Sequence, residues 1–183
     1  VLRSQMRSPT RREGTFAVGR IGLIQEPGYK LRAVANPGRI FQRVMEPLGD
    51  SIYSLLKVLP WDCTFDQSKA IPILHQTLSC GGTVSSVDLS GATDYFPLDL
   101  QMHVLQWLFK GDPMITDLFH DLCTASWFMP ENGYISWNRG QPLGLYPSFG
   151  SFALTHGLLL LGLLGKEYNQ EFFVLGDDVV ILD

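Results

Sequence analysis

The sequence predicts an α+β domain in which helices pack on one face of an antiparallel sheet. The prediction rests on a strand-rich segment near the N-terminus, a series of one strand and three helices in the middle, and an apolar hairpin at the end. Nothing supports a dinucleotide-binding or P-loop fold, because the sequence has no alternating strand–helix series, no G-x-G-x-x-G motif and no Walker loop. The 183 residues are 45% hydrophobic and 17% charged, enough apolar material for a core.

The first half of the chain is predicted to form a hairpin followed by two helices. Residues 15–35 have a strand-like composition with a turn at 26–28, and alternation of residue types in the second run, 29–35, suits a hairpin with one face exposed to solvent. Residues 39–59 carry apolar side chains at helical spacing, and Pro47 should kink or divide that helix. A short helix is expected to follow, up to Cys80.

The second half is predicted to contain two strand segments that enclose three helices. In chain order we expect a strand that ends at Asp88, a helix from Pro97, a helix capped by Asp112, a loop-rich region over 129–147, a long apolar helix over 148–164 and a hairpin over 172–181.

Composition excludes several classes of protein. The three cysteines are scattered and contain no C-x-x-C pair, which argues against a disulfide framework and a structural zinc site. The sequence shows no signal-peptide pattern. Its longest apolar stretch, residues 152–165, is shorter than the roughly 20 residues that span a bilayer. We therefore expect neither a secreted protein nor a membrane span.

Charge is unevenly distributed along the chain. Residues 1–57 hold ten Lys and Arg residues against four acids, whereas residues 58–183 hold four bases and fourteen acids. A basic segment suits phosphates and an acidic remainder suits metal cations. A solvated basic tail on an ordinary acidic domain is the alternative interpretation.

The terminal hairpin carries two carboxylates at its tip. Two apolar runs are separated only by Gly176-Asp177-Asp178. A purely structural turn is the alternative, since Gly and Asp are common turn formers. Because the flanking runs are wholly apolar, we expect both strands to be mostly buried, where adjacent acids are costly unless a cation neutralises them.

A second acidic element lies at Asp88, with Asp94 six residues later. If the strand that ends at Asp88 lies beside the terminal hairpin, Asp88 and Asp177 converge at one edge of the sheet. Carboxylates suit Mg²⁺ or Mn²⁺, and two such ions about 4 Å apart promote phosphoryl transfer. Capping of the helix near Pro97 is the alternative for Asp94, whereas Asp88 lies too far upstream.

A third segment, RGQPLGLYPS over 139–148, leads into the long helix. Its glycines permit positive φ and a close approach of the backbone to a ligand. The helix N-terminus that follows presents free N–H groups. A structural loop before a helix is the alternative.

Together these segments resemble the palm of viral RNA-dependent RNA polymerases. VDLSGATDYFP, GQPLGLYPSFGSFALTHG and VLGDDVVI are similar to its motifs A, B and C, in the form found in the narnavirus, mitovirus and botourmiavirus group. Upstream, EPGYKLRAVANPGRIFQRVMEPL resembles the region of that group that contains basic motif F, and P-x-D-x-TFDQ over 60–67 is also similar. The resemblance covers residues 18–183.

The resemblance implies a fingers-derived segment over 1–80, with motif F, and a palm core over 81–183, with motifs A, B and C. It implies template-directed nucleotidyl transfer in the replication of a viral RNA genome, with two Mg²⁺ or Mn²⁺ ions as cofactors. The partners would be an RNA template, nascent RNA and nucleoside triphosphates, in the host cytoplasm or mitochondrion. Motifs D and E and the thumb would lie beyond Asp183, so a fragment without a thumb, weak or inactive alone, is expected.

Roles for individual residues also follow from the resemblance. Asp88 and Asp177 would ligate the two metal ions, with Asp178 as a weaker or more distant ligand. Lys30 and Arg32 would neutralise the triphosphate of the incoming nucleotide. The basic N-terminal region would line the path of the template or nucleotide, which makes the affinity salt-dependent.

The resemblance further implies that Asp94 reads the ribose hydroxyls, that Gly144 is a pivot of the motif B loop and that Ser148 faces the ribose or the template. Many related polymerases place an Asn eight residues after the motif B glycine to help hold the counterpart of Asp94. Here that position is Phe152, so the contacts that select the sugar must differ.

Three other functions are considered. A reverse transcriptase shares the palm chemistry, but Gly176 before the acids and Ser90-Gly91 after Asp88 favour RNA synthesis. A non-catalytic RNA-binding remnant is the second. A metal-dependent nuclease would need a general base, and the four histidines all lie in predicted helices, where packing or solvation is the commoner outcome: His75, His103, His120 and His156.

Overall fold

The structure is a computed structural model that describes residues 17–29, 31–165 and 171–183. These ranges form two sheets with helices packed against them, which confirms the predicted α+β class. The elements are β1 (Gly19–Gln25), β2 (Leu31–Pro37), α1 (Arg39–Leu56), α2 (Ile71–Ser79), β3 (Val84–Asp88), α3 (Ala92–Tyr95), α4 (Leu98–Leu108), α5 (Pro113–Thr124), β4 (Trp127–Met129), β5 (Gly133–Ile135), α6 (Ser148–Leu164), β6 (Phe172–Leu175) and β7 (Asp178–Leu182).

The N-terminal hairpin forms as predicted. β1 and β2 pair antiparallel from Gly19 opposite Pro37 to Gln25 opposite Leu31. Ile21 and Ala35 lie opposite each other and are buried, while most other side chains of the two strands are exposed. Burial is thus confined to the end of the hairpin near Ile21 and Ala35, and apolar residues such as Leu31 are exposed toward the turn.

Helix α1 runs through Pro47 without a break, so the expected division of this helix was wrong. Proline removes only the one hydrogen bond that its missing N–H would have donated. The buried apolar stripe, which includes Met45, Leu48 and Ile52, lies on both sides of the proline and packs into the main core. Because residues before and after Pro47 both pack into the core, the helix stays continuous through the proline.

The long apolar helix α6 occupies the predicted residues, 148–164. It is buried on every side over its first ten residues except at Phe149, and it packs against α1 and α4. A Cβ on Gly157 would lie 1.9 Å from the ring of Trp61, so a glycine is required for that close contact. Among the described helices, none is both long and apolar enough to span a membrane.

The second sheet has the order β3-β7-β6, with both pairs antiparallel. Strand β6 is buried, but β7 is only partly buried and most of β3 is exposed. The expectation that both strands of the terminal hairpin are mostly buried therefore holds for β6 but not for β7. An apolar run in the sequence indicates that a strand is suited to burial. It does not show which neighbouring elements bury each face of that strand.

Residues 61–63, within the P-x-D-x-TFDQ segment, support the edge of β6. The N–H of Val174 donates to the carbonyl of Trp61 at 2.9 Å, and the N–H of Cys63 donates to the carbonyl of Val174 at 2.8 Å. Between them, the buried Asp62 accepts from the N–H and hydroxyl of Thr64, and burial raises the pKa of its carboxyl group. The segment thus acts as an extra edge strand.

The hairpin β4–β5 lies in a region where the sequence predicts only loops from residue 129 onward. It joins the first sheet, whose order is β2-β1-β4-β5. Each of its strands has three residues, too few for alternation to be recognised. Residues 19–37 and 127–135 therefore share one sheet. The expected boundary near residue 80, between a fingers-derived segment and a palm core, stays a prediction.

Replacing Gly157 with Ala should destabilise the protein by about 1–3 kcal/mol, because the added methyl group overpacks the contact with Trp61. A Cβ on Gly162, in the same helix, would point into open space with nothing within 4 Å, so Gly162→Ala should stabilise by up to ~1 kcal/mol through helix propensity. Urea unfolding of the two variants measures both effects. Equal changes in the two variants would contradict the close contact.

Candidate functional site

Three acidic residues lie where β3 ends and β7 begins. The antiparallel register sets Asp88 directly opposite Asp178, and Asp177 precedes Asp178 in the turn. Directly opposite residues have their side chains on the same face of a sheet, with Cα atoms about 4.5–5.5 Å apart. The pairing of β3 beside the terminal hairpin is as expected, although Asp178, not Asp177, is the residue opposite Asp88.

These acids fit a hard divalent cation by their chemistry. Asp88 and Asp178 are exposed and Asp177 is half-buried. Like charges opposite each other on adjacent strands repel, and a cation bound by carboxylate oxygens relieves that repulsion. Within the described ranges, no group of three or more Asp, Glu, His or Cys side chains is already arranged to hold a metal ion. The metal-binding roles of the three acids stay predictions.

Helix α6 holds the turn that carries Asp177. The ring Nδ1 of His156 lies 2.9 Å from the carbonyl oxygen of Gly176, which can only accept, so Nδ1 carries the proton. His156 is buried between the rings of Phe96 and Phe152. All four histidines lie in helices, as predicted, and His156 is the packed one that contacts the acidic turn.

Gly176 lies at the first position of the two-residue turn, with φ of 63°. This conformation favours glycine. A Cβ there would also lie 2.9 Å from the ring of Phe149. The glycine therefore permits both the turn and its close packing on α6.

A cleft of about 420 Å³ lies between the β1–β2 hairpin and the acidic turn. It brings Arg32, Asp94 and Asp177 to one cavity, as a nucleotide site would require. Its lining comprises Leu31, Arg32, Ala33, Ser90, Gly91, Ala92, Thr93, Asp94, Trp137, Leu143, Phe149, Phe152 and Asp177.

Arg32 supplies positive charge to the cleft. Its Nε donates to the Oε1 atom of Glu26 at 2.6 Å. The pKa of Arg32 is raised, first by this hydrogen bond and the charge of Glu26, and also by the charge of Asp177. Arg32 therefore faces the acidic turn as well as its neighbour on the hairpin. Lys30, the other predicted triphosphate ligand, lies outside the described residues.

Asp94 lies in α3 and lines the cleft. Its Oδ1 atom accepts a hydrogen bond from the indole Nε1 of Trp137 at 3.1 Å. Helix α4 begins after Pro97 and has no side-chain cap, which excludes the alternative role of Asp94 as its N-cap. Sequence reasoning missed Trp137, because no spacing rule links two residues 43 positions apart.

The loop before α6 is fixed by contacts with β2 and α1. The side chain of Gln42 donates from Nε2 to the carbonyl of Gly144 at 2.7 Å and accepts at Oε1 from the N–H of Tyr146 at 2.8 Å. Gly144 has φ of 142°, and a Cβ there would lie 1.7 Å from the carbonyl oxygen of Ala35. Gly144 thus occupies a position that only glycine fills, and Gln42 is a supporting residue that the sequence did not indicate.

Ser148 is buried, and its hydroxyl donates to the carbonyl of Pro142 at 2.9 Å. Its own carbonyl accepts from Nε2 of Gln141 at 2.6 Å. The side chain therefore closes the loop on itself and is absent from the lining of the cleft. The role of Ser148 toward the ribose or the template stays a prediction.

Comparison with known proteins identifies relatives over almost the whole chain. The sequence model of the family described as Mitovirus RNA-dependent RNA polymerase matches residues 2–183. The RNA-directed RNA polymerase of Cryphonectria parasitica mitovirus 1 (strain American chestnut tree/New Jersey/NB631) is 31% identical over 169 residues. That match covers 90% of this chain and 20% of the polymerase.

Two further similarities extend this result. An uncharacterized mitochondrial protein of Arabidopsis thaliana is 30% identical over 141 residues, which cover 71% of this chain and 55% of the plant protein. The structure of the RNA-dependent RNA polymerase from bacteriophage phi12 matches with a TM-score of 0.57 at 15% identity, over 88% of this chain and 30% of the phage chain. The phage structure supports the fold alone. The chain thus spans about a fifth of the mitovirus polymerase and about half of the plant protein.

Replacing His156 with Ala should destabilise the protein by about 2–4 kcal/mol, because the change leaves a cavity and an unpaired carbonyl at Gly176. His103 is a matched control, since it is exposed and its ring bonds to the carbonyl of Asp99 on its own helix. His103→Ala should change stability by about 0.5 kcal/mol or less. Urea unfolding measures both, and equal losses would contradict a special role for His156.

Proposed function

Because the chain belongs to the mitovirus RNA-dependent RNA polymerase family, we propose that it carries the active-site palm and part of the fingers of an enzyme that copies RNA. The observation that carries this proposal is the pairing of β3 with β7, which brings Asp88 to the Asp177–Asp178 turn beside the cleft. Residues 1–80 would belong to the fingers and 81–183 to the palm.

The acidic edge is the proposed binding site for two Mg²⁺ or Mn²⁺ ions. Asp88 and Asp177 would be the principal ligands and Asp178 a weaker one, since all three offer the hard oxygen donors that these ions prefer. When bound, the ions would lower the pKa of the attacking hydroxyl and stabilise the leaving oxygen.

The cleft is the proposed site of the incoming nucleoside triphosphate. Arg32, with Lys30, would bind the triphosphate, and phosphate oxygens would compete with Glu26 for the guanidinium group. Asp94 would accept hydrogen bonds from the ribose hydroxyls, because its carboxylate lines the same cleft. Gly144 and Ser148 would act through the shape of the loop, since the Ser148 hydroxyl is bonded inside it.

In the proposed reaction, the 3′-hydroxyl of the nascent RNA attacks the α-phosphate of the nucleotide. A phosphodiester bond forms, and the bond to pyrophosphate breaks. The template strand specifies the base. The basic residues of the N-terminal segment favour binding of the RNA backbone, with an affinity that falls as salt rises. Relatives named as mitochondrial or mitoviral favour the mitochondrion over the cytosol as the site of replication.

We expect Asp177→Asn to reduce nucleotide addition by the complete polypeptide on the order of 100-fold or more, because a ligand charge at the metal site is lost. RNA binding should persist, since RNA contacts depend on basic residues. Asp121→Asn is the control, because Asp121 is exposed on α5, remote from the cleft lining. Primer extension and filter binding measure the two properties. Unchanged synthesis by Asp177→Asn would remove this acid from its role and favour a non-catalytic RNA-binding protein.

We also expect the complete polypeptide to incorporate UTP in preference to dTTP on an RNA template. The small Ser90-Gly91 pair lines the cleft after Asp88 and leaves room for a 2′-hydroxyl. The ratio of kcat/KM for the two nucleotides, measured in parallel reactions, checks this expectation. A preference for dTTP would instead favour a reverse transcriptase.

A further inference from the structure

We propose that Trp137 is a positioning residue that holds Asp94 for recognition of the nucleotide sugar, and that it thereby helps to determine specificity for ribonucleotides. This inference rests on the proposed function, because it assigns a partner to the carboxylate that would read the ribose. The structure supports it through one hydrogen bond, two backbone contacts and the packing behind the indole ring.

The hydrogen bond occupies only one oxygen of the carboxylate. Trp137 donates from Nε1 to Oδ1 of Asp94 at 3.1 Å, and both residues line the cleft. Among the described residues no other group donates to this carboxylate, so Oδ2 has no partner within that part of the chain. An oxygen of this kind can accept a hydrogen bond from a sugar hydroxyl. Indole has no acceptor atom, so Trp137 orients the carboxylate without competing for that proton.

The chain segments that carry the two side chains are tied together by backbone hydrogen bonds. The N–H of Gln141 donates to the carbonyl of Thr93 at 2.8 Å, and the N–H of Leu98 donates to the carbonyl of Arg139 at 2.9 Å. A Cβ on Gly140 would lie 2.0 Å from the carbonyl oxygen of Thr93, so a glycine permits this approach. The distance between Trp137 and Asp94 is therefore set by the backbone before a nucleotide arrives.

The indole ring is fixed from behind by the core. The rings of Trp137 and Trp127 meet edge to face, with centroids 6.0 Å apart and an interplanar angle of 83°. Trp127 is fully buried, and its own Nε1 donates to the carbonyl of Leu122 at 3.1 Å. An anchored donor loses little conformational entropy when its partner binds a ligand, which is the condition for accurate positioning.

Phe152 cannot perform this task, although it lines the same cleft. Its ring has no hydrogen-bonding group, and it packs edge to face on Phe96 with centroids 4.9 Å apart. The side of the cleft formed by α6 is therefore apolar at this position. The polar contact to Asp94 comes from Trp137.

The test uses UTP and dUTP, which differ only in the 2′-hydroxyl, and measures their Kd values for this chain with Mg²⁺ present. We expect UTP to bind more tightly, and we expect Trp137→Phe to reduce the UTP preference about five- to tenfold through loss of the hydrogen bond. Trp107→Phe is the matched control, since Trp107 is 72% exposed on α4, and it should keep the wild-type preference. Asp94→Ala should lose the preference, and adding Trp137→Phe to it should change nothing further.

A second measurement does not depend on how Trp137→Phe folds. In Asp94→Ala, the indole N–H of Trp137 should exchange with solvent faster than in the wild type, as NMR would show. An unchanged UTP preference in Trp137→Phe, unchanged indole exchange in Asp94→Ala, or equal wild-type affinity for UTP and dUTP would each overturn the inference. Failure of the proposed function is separate, because it appears as nucleotide addition that is insensitive to Asp177→Asn.

Discussion

The pairing of β3 with β7 is the constraint on which the site depends. It joins Asp88 to Asp178, 90 positions later in the chain, and it does so through five residue pairs in register. Because side chains alternate between the faces of a strand, a slip of one residue would turn Asp88 to the opposite face from Asp178. Strand β7 is also paired with β6 on its other side, so its position is fixed from both edges.

Helix α6 connects this acidic edge to the cleft beside it. Phe149 packs on Gly176 and also lines the cleft, while His156 bonds to the carbonyl of Gly176 from about two turns further along the helix. The same helix begins at the loop that contains Gly144. A change in the packing of α6 therefore reaches the turn, the cleft wall and the loop together. The helix has few charged residues of its own, but through these contacts it positions the residues that carry the charges of the site.

The sequence predicted the parts of the fold that local patterns determine. The bounds of α6 and the two hairpins follow from apolar periodicity and turn residues, which need no knowledge of the rest of the chain. The hydrogen bonds from Gln42 to Gly144 and from Trp137 to Asp94 were not predictable in this way. Each of them joins residues that are distant in sequence. The hydrogen bond from the Ser148 hydroxyl to the carbonyl of Pro142 was not predictable for a related reason, since the sequence does not reveal how the loop closes.

From the charges around the cleft, we expect the triphosphate of the proposed nucleotide to lie between a positively charged surface and a negatively charged one. Arg32 supplies positive charge from the hairpin, while Asp177 supplies negative charge from the turn. A triphosphate is attracted to the first and repelled by the second, so the acids can approach it only when cations lie between them. Glu26 already pairs with Arg32, and this pairing keeps the guanidinium group in place at the cleft. Divalent ions would neutralise the repulsion between the α-phosphate and the acids. This neutralisation, more than direct contacts with the protein, would bring the α-phosphate to the acidic edge.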